Sequence, residues 1–198
     1  ALIKALESYV WIMEISFGYI ITFISLIYGL ALTHALSCVV QLIQNINKIK
    51  NYWLWWIWAI WFFCLALGFW MSVHSYWHDC VEWSMMTFGF VTIQACLFYL
   101  CFYLFFNTQD EINNNLEEGF NNNKRLVFIL VGILFFLMFV ISPIISNSEK
   151  DYGADLAFSK IFLPIIFSVF AFIKNKIANY IFAFFMLGSF LLQIILTI

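Results

Sequence analysis

Read for polarity alone, the chain is a series of long apolar runs separated by short polar breaks. Six runs are long enough to be helices: within Ser16–Ile43, then Trp53–Trp77, Ser84–Phe106, Leu126–Ile145, Leu156–Ile173 and Tyr180–Ile198. None alternates polar and apolar residues as a half-buried strand would, so a barrel is not expected. About 20 residues of helix cross ~30 Å of hydrocarbon, and backbone groups in lipid must be satisfied within the segment. The pattern therefore predicts an all-α integral membrane protein of six transmembrane helices in one transmembrane domain, residues 1–198.

The polar breaks set the orientation. Lys48 and Lys50 follow the first run, Lys124 and Arg125 the third, and Lys174 and Lys176 the fifth. The opposite side holds Lys4, Lys150 and, within the outer end of the fifth run, Lys160, beside Glu7, Glu14, Asp79, Glu82, Glu149, Asp151 and Asp155. By the positive-inside rule both termini lie outside and the basic loops are cytoplasmic. The break Asn107–Arg125 is Asn-rich and acidic, with room for one short helical turn around Leu116–Glu118. Residues 1–15 read either as an outer amphipathic segment or as a continuation of a long, tilted first helix. The start "ALIKALESYV" has no basic region followed by an apolar core and cleavage site, so no cleavable leader is expected.

Composition reinforces the membrane reading. Of 198 residues, 65% are hydrophobic and only 10% charged, and the net charge is −2. That leaves no basic stripe for nucleic acid. Five cysteines, at 38, 64, 80, 96 and 101, form no CxxC pair and four sit in apolar runs, where they act as small hydrophobes. There is no Gly-rich phosphate loop, HExxH, nucleophile elbow or intramembrane carboxylate pair, so a non-enzymatic protein is expected. No cofactor is expected, and bound lipids are.

Polar residues within the runs are the candidate chemistry. Gly18, Thr22, Ser25, Gly29, Thr33, Ser37 and Gln41 recur at steps of three and four along the first run. Such a stripe suits close helix contact, which makes the first helix a central packing element; the functional alternative is the lining of a polar path. His34 lies beside the stripe near mid-membrane, where an ionisable group invites a proton-linked role and the bland alternative is a packing histidine. Thr92 or Gln94 of the third run is its expected partner. The path or proton-linked set is thus His34, Thr33, Ser37, Gln41 and Gln94. Five tryptophans between Trp53 and Trp61 read as an aromatic belt at the cytoplasmic interface. Pro143 and Pro164 are expected to kink or end their helices.

The segment "HSYWHDCVE" offers His74, His78, Asp79 and Cys80 as a metal set at the outer face, or a polar helix cap. The two histidines share a helical face, but a straight helix carries Glu82 ~12 Å from His74, so a third ligand must come from elsewhere. A haem shared by His34 and His74 is disfavoured, because the two are offset by roughly 18 Å along the membrane normal.

"LIYGLALTHAL" (26–36), the basic loop, "WLWWIWAIWFFCLALGFW" and "DEINNNLEEGFNNNKRLVFIL" (110–130) resemble an uncharacterised family of small bacterial polytopic membrane proteins. In that family the position matching His34 can be Asp, which the resemblance turns into weight for an ionisable role there. It carries no activity. Three functions are expected in order. The first is an oligomeric channel, transporter-like or pore-forming protein with a polar first helix. Next comes an accessory or assembly subunit of a larger membrane complex, and third a metal- or redox-linked membrane protein. Partners would be membrane lipids and further copies or other membrane subunits, in a bacterial inner membrane or, alternatively, an organellar inner membrane.

Overall fold

A computed structural model describes the backbone of residues 2–47, 52–77, 83–107, 115–145, 154–173 and 175–197. Side chains are described from residue 18 onward, leaving out 72, 74–76, 154–161 and 191–197 as well. The described residues are helical and contain no strand. The helices are α1 (Leu2–Gln44), α2 (Trp53–Trp77), α3 (Met85–Phe106), α4 (Leu116–Ile145), α5 (Ala154–Phe170) and α6 (Lys176–Thr197). Four of them contain apolar stretches long enough to cross a bilayer: Gly18–Gln44, Trp53–Met71, Met85–Phe106 and Leu116–Ile145. The protein is therefore built to be embedded in a membrane.

The N-terminal segment is no separate element, because α1 runs unbroken through it for 43 residues. Ser84 starts α3 as anticipated, its hydroxyl accepting the Thr87 N–H at 3.1 Å. The stretch between α3 and α4 departs from expectation. In place of one turn, α4 begins at Leu116 and carries the Asn-rich segment with it. Asparagine is a poor helix former, yet Leu116, Phe120, Lys124, Val127, Phe128 and Val131 fall on one buried face. Burial of that face overrides local propensity.

Ring pairings fix how the helices lie. Phe23 with Phe88, Tyr28 with Phe98 and His34 with Tyr103 run in step, so α1 and α3 are parallel neighbours. Phe62 with Phe105, Phe69 with Phe98 and Trp77 with Phe90 run in opposite order, so α2 is antiparallel to α3. Tyr52 with Tyr180 and Trp58 with Phe182 set α6 parallel to α2. The antiparallel α4–α5 pair packs tightly at Gly132. A Cβ there would lie 2.7 Å from Ser168 Oγ and 3.0 Å from the Pro164 carbonyl, so only glycine permits this approach.

The tryptophans form core rather than belt. Trp53 is exposed, but Trp55, Trp58 and Trp61 are buried among Phe62, Phe105, Phe106, Phe128, Phe135, Phe167 and Phe170. Tertiary packing has taken what the interface was expected to hold. The indole N–H groups of Trp55 and Trp58 find no oxygen or nitrogen acceptor. Aromatic rings surround them instead, Phe105 stacked on Trp55 and Phe128 edge-on to Trp58 at 4.6 Å and 69°.

Neither proline ends its helix. Pro164 sits inside α5. Ahead of Pro143, residues Leu137–Ile141 widen into a π-helical turn and the Ser142 N–H bonds the Leu137 carbonyl, five residues back. A π-bulge next to proline keeps α4 continuous where an ordinary ladder would break.

Gly132→Ala should destabilise the bundle by about 1–3 kcal/mol, the usual cost of overpacking a tight contact. Gly89→Ala, where a Cβ meets nothing within 4 Å, should be near neutral. Thermal unfolding in detergent, followed by tryptophan fluorescence, checks both; equal melting of the two variants would contradict the close α4–α5 approach.

Candidate functional site

Three polar groupings are described within the apolar bundle, and two of them involve residues that sequence reasoning placed elsewhere. The largest is a collar where the C-terminal ends of α3 and α5 meet the starts of α2, α4 and α6. Its centre is Lys124, expected in a cytoplasmic loop but only 6% exposed. The α4 face that buries Phe120 and Leu116 one and two turns earlier carries Lys124 inward with them.

The ammonium donates to Asn179 Oδ1 at 2.7 Å and to the Ile173 carbonyl, and lies 4.3 Å from the centre of the Phe170 ring. Ile173 ends the turn after α5, where unsatisfied carbonyls and the helix dipole favour a cation. Asn179 is itself 2% exposed, on the second turn of α6. One lysine thereby joins α4, the α5–α6 turn and α6. Among the described residues it has no carboxylate within ion-pair distance. Neutral acceptors and a ring face carry the whole charge.

The neighbours extend the collar. Asn123 donates to the Leu104 carbonyl at 3.2 Å, satisfying one of the last carbonyls of α3. Glu117, in the first turn of α4, pairs with Lys176 at the start of α6. Asn175 caps α6, accepting the Ile177 N–H at 3.0 Å. Tyr52, just before α2, packs on Phe120 and Tyr180. Burial pushes its phenol up to about 12, with Tyr180 and the Glu117 carboxylate adding to the effect.

The second grouping lies at the π-bulge. Gln94 Nε2 donates to Ser142 Oγ at 2.8 Å, and that hydroxyl donates to the Leu137 carbonyl at 3.1 Å. Gln94 and Ser142 are both buried. Gln94 is thus committed to α4 and is no partner of His34. Thr92 is no partner either, since its hydroxyl bonds the Phe88 carbonyl of its own helix.

His34 belongs to the third grouping, on the seam between α1 and α3. Its ring stacks on Tyr103 with centroids 4.8 Å apart, and Nε2 lies 3.7 Å from Cys38 Sγ. The histidine is half-buried.

The small and polar stripe does not pack the bundle. The buried face of α1 is Ile24, Tyr28, Ala31, Ala35, Cys38 and Leu42, set against α3 and α2. Thr22, Gly29, Thr33, Ser37 and Gln41 lie on the outside, and a Cβ on Gly18 or Gly29 would touch nothing. The first helix is therefore peripheral, with 28% of its apolar stretch buried against 50% for α2. Its hydroxyls turn back on their own helix: Thr22 to Gly18, Ser25 to Ile21 and Thr33 to Gly29, all within 2.7 Å.

The proposed metal set lies outside the described residues: His78, Asp79 and Cys80 fall there entirely, and His74 in its side chain. Among the described residues no group of three potential ligands converges. Lys124 and Ser142 were missed by sequence reasoning. The first could have been found from its four-residue spacing to Phe120 and Phe128, the second from the proline that follows it.

No protein-family model matches this chain, and no curated protein or solved structure is significantly similar to it. The chain's own geometry is what a functional reading has to rest on.

Replacing Lys124 by Met, or Asn179 by Leu, should each cost about 1–3 kcal/mol, because one buried partner is left unmatched. The double variant should recover part of that loss, a coupling of at least ~1 kcal/mol. Strictly additive losses in detergent unfolding would refute the pairing.

Proposed function

We propose that this is a six-span, non-enzymatic membrane protein that works as an oligomer of the channel or transporter-like kind. The polar face of α1 is turned to neighbouring copies and not into its own bundle. One observation carries the reading: the stripe Gly29, Thr33, Ser37 and Gln41 faces outward while the interior is filled by aromatic rings. Gln94 pairs with Ser142 and Lys124 with Asn179, so these four buried polar side chains are engaged with one another. A polar route in this protein would therefore run between copies, with His34 beside it on the α1–α3 seam.

Alternating helix directions, with α5 and α6 packed alongside the four long spans, support six crossings. Arg125 and Lys176, with Lys48, Lys50 and Lys174, support a cytoplasmic face at the collar end and both termini outside, in a bacterial inner membrane. Lys124 adds less to that argument than a loop lysine would, because its charge is engaged in packing.

An accessory or assembly subunit is the second reading, and a specific observation favours it. With Thr22, Ser25 and Thr33 bonded to their own backbone, the face presents a small, dry surface suited to another helix more than to water.

Gly29→Leu tests association directly. Since a Cβ at Gly29 meets nothing in the bundle, melting should hold while native mass drops from oligomer to monomer. A monomeric wild-type protein would refute both readings, and partner chains that co-migrate would favour the second. Proton or ion flux in liposomes should lose its acid dependence in His34→Leu. Flux in that variant identical to wild type would remove His34 from the path.

A further inference from the structure

Arg125 follows Lys124 in α4 but has the opposite setting. It is exposed, and its guanidinium carbon lies 4.6 Å from the centre of the Phe172 ring, which is itself exposed. Among the described residues no carboxylate pairs with it and no oxygen accepts from its N–H groups. Next to it in α4 the exposed surface turns apolar at Leu126, and the exposed Phe172 lies beside its guanidinium. On its other side lie the polar Asn121 and Asn122, also exposed. Arg125 thus stands at the border between the lipid-facing surface and water, on the rim of the collar.

We propose that Arg125 and Phe172 form a site for the phosphate of an anionic phospholipid in the leaflet at this end of the bundle. Arginine is suited to phosphate because its planar fork gives two parallel N–H donors, and stacking over a ring orients the fork. Phe172 is placed to sink its ring at the glycerol level, where aromatic residues anchor. Lys176 is engaged by Glu117, so among the described residues of this rim Arg125 is the cation without a carboxylate partner. Glu118, two turns earlier in α4, is ~10 Å farther from the apolar border and opposes the lipid charge only weakly. This inference rests on the collar and does not depend on the oligomeric reading above.

The test is competition between equimolar phosphatidylglycerol and phosphatidylcholine for the purified full-length chain in neutral detergent, read by native mass spectrometry. One juxtamembrane cation implies a preference of about fivefold for the anionic lipid. Arg125→Ala should lower that preference about fivefold, and Phe172→Ala should lower it by less. Arg125→Lys, which keeps the charge and loses the fork, should fall between Ala and wild type. Arg125→Gln stands in if the alanine variant loses its helical circular dichroism. Millimolar inorganic phosphate should leave the lipid bound. The proposal is overturned by a wild type without preference, by folded Arg125 variants that keep the full preference, or by displacement with free phosphate.

Discussion

Inside a lipid-facing bundle a polar group cannot fall back on water, and each described polar arrangement in this protein follows from that constraint. Lys124 spends its charge on a carbonyl, an amide oxygen and a ring face. Gln94 and Ser142 close a chain onto the Leu137 carbonyl, which also accepts the Ser142 N–H of the π-turn. The hydroxyls of α1, which face outward, bond backward within their own helix. The three solutions differ in what they hold together. The first ties three elements at one end of the bundle, the second locks α3 to the irregular turn of α4, and the third leaves α1 small and self-sufficient.

The apolar majority has a constraint of its own, because lipid tails offer no hydrophobic drive for helices to leave them. Association then depends on fit. Flat aromatic rings supply it, with Phe62 against Phe105 at 4.4 Å and Phe170 against Phe182 at 4.1 Å. Glycine supplies it where two backbones must nearly touch, as at Gly132 against Pro164 and Ser168. By the same logic, the glycines of α1 that touch nothing are sites where fit is still on offer. The outward stripe of α1 therefore bears on how the protein associates, while the filled interior bears only on how it folds.

The collar shows two cations one residue apart taking up different tasks. Helical geometry turns successive residues by about 100°, so burial of Lys124 dictates exposure of Arg125. The buried one becomes an internal strut and the exposed one faces the surrounding membrane. A count of loop charges treats the pair as equivalent, whereas packing separates them.

Four long apolar helices and the Ser84 start of α3 were legible along the chain, since each depends on local composition or capping. The face of each helix was not. The step-of-four stripe in α1 marked a small surface correctly, but nothing local says whether such a surface meets its own bundle or the outside. Five tryptophans in nine residues suit an interface and a core equally, and only the positions of Phe105, Phe128 and Phe167 drew three of them inward. Lys124 is the clearest case. Its sequence surroundings are those of a solvated loop, and its burial arises because Phe120 and Phe128, at helical spacing on either side, have partners on other helices. The sequence by itself determined that these helices form and that lipid surrounds them, because period and hydrophobicity are local properties. Only the tertiary structure decided which polar groups are enclosed, because partners such as Ile173, Asn179 and Ser142 lie 48 to 55 positions away from the residues they satisfy.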